Sequence, residues 1–373
     1  MKRVDFPTFG SPTIPHLSDI DIRLRSTKLV KFGILYPGCA IYGFIWAMKT
    51  LCVLFMLLAL QQGADGAQER LGIMFWNLEN FFDYHDAGGG ESDTEFSSFG
   101  SRHWGKKKFF AKRDAVAKAI MWTGGEKDGM PDIVAVAEVE NRWVVKTLAE
   151  DTALRKYGYG FVHRDSPDRR GIDVALMYRK AALELVSSSA LRVCGVRDGD
   201  TLVTRDILLV EFTVKNSPGG GRLAVLVNHH PSKYGGGDTD WKRDAAMERM
   251  TGAVDSLLRL GVSNIVCTGD FNDIPENIRF PEGREGLLVN LARPLSEEGE
   301  GTIRYAGRWE LIDMFMVSPG LAPRARMDIV RIPFLMVRDN VHAGEKPFRT
   351  WSGPRYAGGV SDHCPVYLEI TGF

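Results

Sequence analysis

Short apolar runs, many alternating with polar residues at period two, recur from residue 71 to the end of the chain, between longer stretches whose apolar positions repeat every three to four residues. The first pattern predicts strands and the second helices, because side chains alternate faces along a strand and return to one face with each helical turn. Strands are predicted at 71–77, 132–138, 172–179, 206–214, 222–229, 264–269, 311–317 and 364–370. Ile172, Val174, Leu176 and Tyr178 share one face, which suits a sheet with one side buried. Helices are predicted over 106–121, 143–155 and 241–260. In the last, Ala246, Met250, Val254 and Leu257 form one stripe and Gly261 stands where a C-cap belongs. The Gly- and acid-rich stretches 86–100 and 281–301 read as surface loops. No Pro/Ser-rich linker or repeat divides these elements, so they predict one domain. Their mixed order, without strict βαβ alternation, implies two sheets packed face to face with helices outside.

The first seventy residues do not share this pattern. Residues 48-MKTLCVLFMLLALQQGADGAQ-68 have a Lys, an apolar run from Leu51 to Leu60, a polar break and small residues, the layout of a secretory signal peptide. Cleavage after Gly66 leaves Ala64 and Gly66 at the small-residue positions and predicts an exported chain beginning near Ala67. Residues 1–47 then read as a mis-assigned upstream extension, 48–66 as signal peptide and 67–373 as the functional domain. A membrane anchor is the rival reading. Phe32 to Ala47 is apolar, but it is shorter than the roughly 20 residues of a span, and Pro37, Gly33, Gly38 and Gly43 interrupt it. No membrane span and no stable protein partner are therefore expected in the mature chain.

Lys plus Arg equals Asp plus Glu, 47 each in 373 residues, which excludes an overall basic field for holding nucleic acid nonspecifically. A polyanionic substrate needs a local patch or a metal. Outside the N-terminal segment only Cys194, Cys267 and Cys364 remain, with no Cys-x-x-Cys pair, so neither a disulfide framework nor a thiolate zinc site is expected.

Polar residues gather where the predicted strands stop. The first closes in 76-WNLEN-80, the second in 138-EVEN-141, another in 228-NHHPSKYGG-236 and another in 269-GDFND-273; the strand at 311 carries Asp313, and 361-SDH-363 precedes the last. Singly, each has an ordinary structural reading: Asn77 and Asn80 as turn formers, Glu138 as a helix-start acid, His229 or His230 as a half-buried histidine, Asp362 as a turn residue, Gly269 as the hinge of a tight turn. Six such clusters at strand ends together point to a site. Carboxylates and amides without cysteine suit a hard cation, Mg²⁺ or alternatively Mn²⁺ or Ca²⁺. Glu138 and Asp362 offer carboxylates, Asn77 a neutral oxygen, and His229 and His363 donors to a phosphate, while Asp270 can orient or deprotonate a water. Phosphoester hydrolysis is the chemistry that demands this set.

The order N…E…H…GDFN…D…SDH resembles the endonuclease/exonuclease/phosphatase superfamily, the DNase I-like proteins, over residues 70–373. The strings 170-RGIDVALMYR-179 and 228-NHHPSKYGG-236 resemble a bacterial, often exported branch of it. The resemblance implies a four-layer α/β sandwich with its site at one rim of the two sheets. It also implies roles. Asn77 lies near metal and phosphate; Glu138 binds the metal, although Ala137 stands where the family usually has Gln. His229, rather than His230, contacts phosphate; Asp270 activates the attacking water; Asn272 steadies the transition state. Asp313 pairs with His363, whose imidazolium faces the developing charge, and Asp362 is a further metal-side ligand. Glu79 sits where some nucleases carry another acid.

The implied activity is that of an exported metal-dependent phosphodiesterase, a nuclease first. A phosphomonoesterase or lipid-directed phosphodiesterase is the alternative, and a non-catalytic surface binding protein the third reading. The stretch 308-RWELIDMFMV-317 lacks the Cys-Asp-Arg string of inositol-phosphate 5-phosphatases. Among the basic and aromatic residues of 86–105 and 231–243, Trp104, Lys233 and Arg243 are candidate contacts to a nucleic-acid backbone, whereas 106-KKK-108 reads equally as a solvated helix start.

Overall fold

The alternation in β1 (Arg70–Phe81) sorts its side chains between two cores: Ile73 and Phe75 face the space between the sheets, while Met74 and Trp76 face the helices outside. The computed structural model in which this is seen describes residues 70–215, 217, 221–233 and 239–373. The predicted upstream extension and signal segment lie outside the described residues.

The chain lays down β1, β2 (Ile133–Val139), β3 (Tyr159–His163) and β4 (Asp173–Arg179) in a first sheet. It crosses to a second sheet for β5 (Leu183–Leu191), β6 (Ile207–Val214), β7 (Arg222–His229), β8 (Ile265–Asp270), β9 (Val289–Asn290) and β10 (Asp313–Val317). It then returns for β11 (Ala325–Ile329) and β12 (Val366–Thr371). The spatial orders are β11-β12-β1-β2-β4-β3 and β9-β10-β8-β7-β6-β5. Each sheet holds one parallel pair joined by a crossover helix. In the first, β1 and β2 flank α1 (Lys106–Glu126), with α2 (Arg142–Glu150) following β2; in the second, β7 and β8 flank α3 (Asp240–Arg259). The antiparallel neighbours β12 and β10 begin where those pairs end. One rim therefore collects the C-terminal ends of four strands and the starts of two more.

Val225, Leu226, Phe315 and Leu368 belong to the core that includes the inter-sheet layer, and Met250, Val254 and Leu257 of α3 join it from outside the second sheet. Phe109, Val116 and Ile120 of α1 and Val144 and Leu148 of α2 close the outer face of the first sheet. This is the four-layer α/β sandwich of the DNase I-like fold. No helix among the described residues is long and apolar enough to cross a membrane, and Cys194, Cys267 and Cys364 are free thiols.

Four local expectations change. The face of β4 opposite Val174 and Leu176 is buried too, because Ala175 and Met177 pack under the outer helices. The helix predicted to residue 155 ends at Glu150: Thr152 Oγ1 donates to Leu148 O and accepts from Leu154 N, restarting the chain as a short 3-10 turn, Ala153–Tyr157. A short helix, Arg293–Glu297, interrupts the loop 281–301. Gly269 is inside β8, where its neighbour β7 comes so close that a Cβ would lie 2.2 Å from Asn228 O. Close approach, rather than a turn, is what this glycine permits.

Candidate active site

Strand register alone brings the first cluster together. His229 ends β7, Asp270 ends β8 directly beside it, and Asp313 opens β10 directly opposite Asp270. In the facing sheet, Asn77 of β1 lies beside Ala137 of β2, which puts Glu138 next to it at the rim. The sheets meet through a hydrogen bond from Asn77 Nδ2 to Asp270 Oδ2, 3.0 Å. The segment before β12 is pinned to β1: Ser361 Oγ donates to Asn77 O at 2.6 Å and accepts from His363 N, and Trp76 Nε1 donates to His363 O. That leaves the His363 ring beside Asp313, with 2.7 Å between Nδ1 and Oδ2.

Several of these residues hold unusual backbone. Glu138 has φ +61°, Glu79 +46°, Asn80 +52° and Asn272 +50°, left-handed conformations that cost a non-glycine residue on the order of 1–3 kcal/mol each. At Glu138 the turn breaks the β1–β2 register and aims the carboxylate into the rim. Its Oε2 accepts from Asn80 N at 2.7 Å, so a main-chain donor steadies the carboxylate where Ala137 offers none.

Electrostatics divide the groups. Burial, followed by the adjacent Asp313 carboxylate, pushes the Asp270 carboxyl up to about 7. Burial also opposes a charged His363, but Asp313, Asp270 and Asp362 outweigh it and hold its pKa well above the ordinary value. His229 goes the other way. Burial, and after it the cations Arg205 and Arg170, depress it well below the ordinary histidine value, leaving a neutral ring with Nε2 3.7 Å from Glu138 Oε1 and 3.8 Å from Asp270 Oδ2. Asn272 turns back so that its N–H meets Asp270 Oδ1 and its side-chain amide donates to His230 O, 2.9 Å.

The oxygens that could meet a cation are those of Glu138, Asp362 and Asn77, whose Oδ1 also accepts from Glu79 N at 2.9 Å. Among the described residues Glu138 Oε1 makes no hydrogen bond and meets only Arg170 Nη2 at 3.9 Å and the His229 ring. Asp362 is a third exposed, with Oδ2 paired to Arg349 at 2.8 Å. Asp270, Asp313 and His363 are also close enough to share an ion, but His363 has already committed Nδ1 to Asp313, and Asp270 stands apart from that pair with its Oδ2 4.0 Å from His363 Nε2. An all-oxygen set crowded with carboxylates fits a hard divalent cation.

The structure thus brings together Asn77, Glu138, His229, Asp270, Asn272, Asp313, Asp362 and His363. It does not bring Trp104. That ring is fully buried, donates from Nε1 to Phe82 O and packs against Trp351 and Tyr356, so it cannot meet a substrate. Lys233 and Arg243 do line one cleft, of ≈ 340 Å³, but Asp273 binds both, and Arg243 is buried against Asp240 and Thr239. Arg243 therefore anchors its loop instead of standing as a free cation. Lys106 and Lys107 are the exposed first turn of α1. Glu79 accepts from Thr350 N and Trp351 N, and burial followed by Asp362 raises it to about 7.

Two residues at the site carried no assignment in the sequence. Arg170, inside the quoted 170–179 string, reaches Glu138. Lys112, from α1, donates to Glu79 O at 2.6 Å and Thr350 Oγ1 at 2.8 Å beneath the acids; burial lowers it to about 8 against the pull of Glu79, Glu138 and Asp362. The signal was present: Phe109, Lys112 and Val116 fall on one apolar stripe, where a lysine is out of place.

Fold and site together define a phosphoester-cleaving hydrolase of the DNase I-like class. The chain belongs to the Endonuclease/Exonuclease/phosphatase family, whose profile matches residues 72–372. No curated protein matches it significantly by sequence. Among solved structures, truncated TDP2 of Caenorhabditis elegans is similar at 15% identity and TM-score 0.51, covering 81% of this chain and 98% of that one. An endonuclease/exonuclease/phosphatase family protein of Bacteroides thetaiotaomicron aligns at 17% identity and TM-score 0.49, over 82% and 98%. At these identities the likeness is one of fold.

Proposed function

We propose that the protein is an exported, divalent-metal-dependent phosphodiesterase, with nucleic acid as its first candidate substrate and Mg²⁺, or Mn²⁺ or Ca²⁺, as its ion. The observation that carries the reading is the His363–Asp313 pair, 2.7 Å apart, facing Asp270 across the rim with His363 Nε2 4.0 Å from Asp270 Oδ2. A cationic donor beside a buried carboxylate supplies what a hydrolysed phosphate needs, one group for a phosphoryl oxygen and one for the attacking water.

Glu138, Asn77 and Asp362 would hold the cation, which would supply Lewis-acid polarisation of a phosphoryl oxygen and offset developing negative charge. Asp270 orients a water and takes its proton, steadied by Asn77 Nδ2 and Asn272 N. His363 presents the proton on Nε2 to the phosphate as negative charge builds, and Asp313 fixes that tautomer. Neutral His229 offers one further hydrogen bond, and the Asn272 amide another.

Purified protein assayed on plasmid DNA, RNA, bis-p-nitrophenyl phosphate and p-nitrophenyl phosphate decides the substrate class. The expected result is hydrolysis of the diesters well above the monoester. Preference for the monoester makes the protein a phosphomonoesterase. The 48–68 pattern supports export, and N-terminal sequencing of native protein should begin near Ala67; a peptide from 1–47 contradicts the misplaced start.

A further inference from the structure

On the side of Arg205 away from the catalytic acids, the rim opens into a second, polar cleft of ≈ 560 Å³. Thr204 and Arg205 form part of its wall at 3% and 7% exposure, and among the described residues Thr204 Oγ1 and Arg205 Nε have no hydrogen-bond partner. The rest of the Arg205 guanidinium is engaged, Nη1 with Asp168 Oδ2 at 3.1 Å and Nη2 with His230 O at 2.7 Å. A buried guanidinium N–H left without an acceptor is costly, and native structures rarely leave one unmet.

Two more cations line the same cleft, Arg169, which is exposed, and Lys242, which is half-buried beside the ring of Trp241. Among the described residues neither forms an ion pair, and Asp200 is the one acid that lines the cleft. The wall of the cleft is tied to the catalytic centre, because Arg205 donates to the carbonyl of His230, next to His229, and Arg170 lies between Asp168 and Glu138.

We propose that this cleft binds a second phosphate of the substrate, on a nucleic-acid strand whose neighbouring phosphodiester occupies the catalytic centre. The inference rests on the phosphodiesterase reading. Arg169 and Lys242, without ion pairs among the described residues, suit the repeated charge of a strand, Trp241 offers an aromatic ring beside Lys242, and the volume exceeds what one phosphate fills.

The test is fluorescence anisotropy of a 5′-fluorescein-labelled oligothymidylate, in chelator so that the strand stays intact, between roughly 50 and 200 mM salt. Arg169→Ala with Lys242→Ala should weaken binding about tenfold at the lower salt. It should also flatten the slope of log K against log salt by about 1.4, two contacts at about 0.7 each. Lys146→Ala, on α2, should bind as wild type does. If the alanine pair does not fold, Arg169→Gln with Lys242→Gln replaces it. Unchanged affinity and slope in the folded double variant overturn the proposal, and so does a wild-type protein that does not bind the strand at the lower salt. Hydrolysis of bis-p-nitrophenyl phosphate by the same wild-type sample tests the phosphodiesterase reading separately.

Discussion

His363 and Asp313 stand 2.7 Å apart and both are buried, so they are expected to act as one unit. Losing a charge-assisted donor in such a site costs roughly 10²–10³ in turnover, about 3–4 kcal/mol. Asp313→Ala with His363→Ala should then be scarcely worse than His363→Ala alone, with metal affinity near wild type; additive losses in kcat contradict the unit. His230 gives a second residue-scale expectation. Burial, then Arg205 and Arg243, lower its pKa from 6.5 to about 3. A depressed folded pKa means stability that is present above about 6.5 and lost as pH falls toward about 3, since in that window only the unfolded chain takes the proton. The loss runs at about 1.4 kcal/mol per pH unit. Urea midpoints at pH 7, 6, 5 and 4 should fall more steeply for wild type than for His230→Gln, and parallel curves refute it. At this scale the site was legible because its polar residues gather where strands stop or start. Trp104 misled because nothing in its own segment shows that Phe82, Trp351 and Tyr356 close around it. The left-handed backbone of Glu138 and Glu79 was equally hidden, since tertiary contacts impose it against local preference.

The elements that set the site are the parallel pairs β1/β2 and β7/β8, and their closeness has a requirement of its own. At Gly269 a methyl group would collide with the main chain of β7. Gly269→Ala should therefore destabilise the protein by about 2 kcal/mol or more and displace Asp270 from Asn77. Thermal unfolding together with turnover checks this, and a variant with wild-type Tm and activity contradicts the packing account. The central strands were readable from sequence because both faces of each are apolar, as in 71–77 and 264–269. The edge strand β5 was not: its middle is largely exposed and reads Val-Ser-Ser-Ser, so no buried face imposes a pattern. The short β11 carries Arg326 and Asp328 within five residues and gave no apolar run either.

Across the whole molecule, the site exists only where the two sheets meet. Asn77, Glu138 and the 361–363 segment come from the first sheet and its approach to β12; His229, Asp270 and Asp313 come from the second, joined by the Asn77–Asp270 bond. Each half carries one side of the chemistry. In the proposed function Glu138 and Asp362, from the first sheet and its approach to β12, would be the cation's carboxylates, and Asp270 of the second the group that activates water. The central claim, that these halves form a divalent-metal phosphodiesterase, is tested most directly by steady-state hydrolysis of bis-p-nitrophenyl phosphate before chelation, after EDTA, and after restoring Mg²⁺ or Mn²⁺. The account predicts loss of turnover with EDTA, recovery with one of the ions, and no recovery in Asp270→Asn, whose fold is intact by circular dichroism. Turnover undiminished by EDTA, or an Asp270→Asn protein as active as wild type, contradicts it.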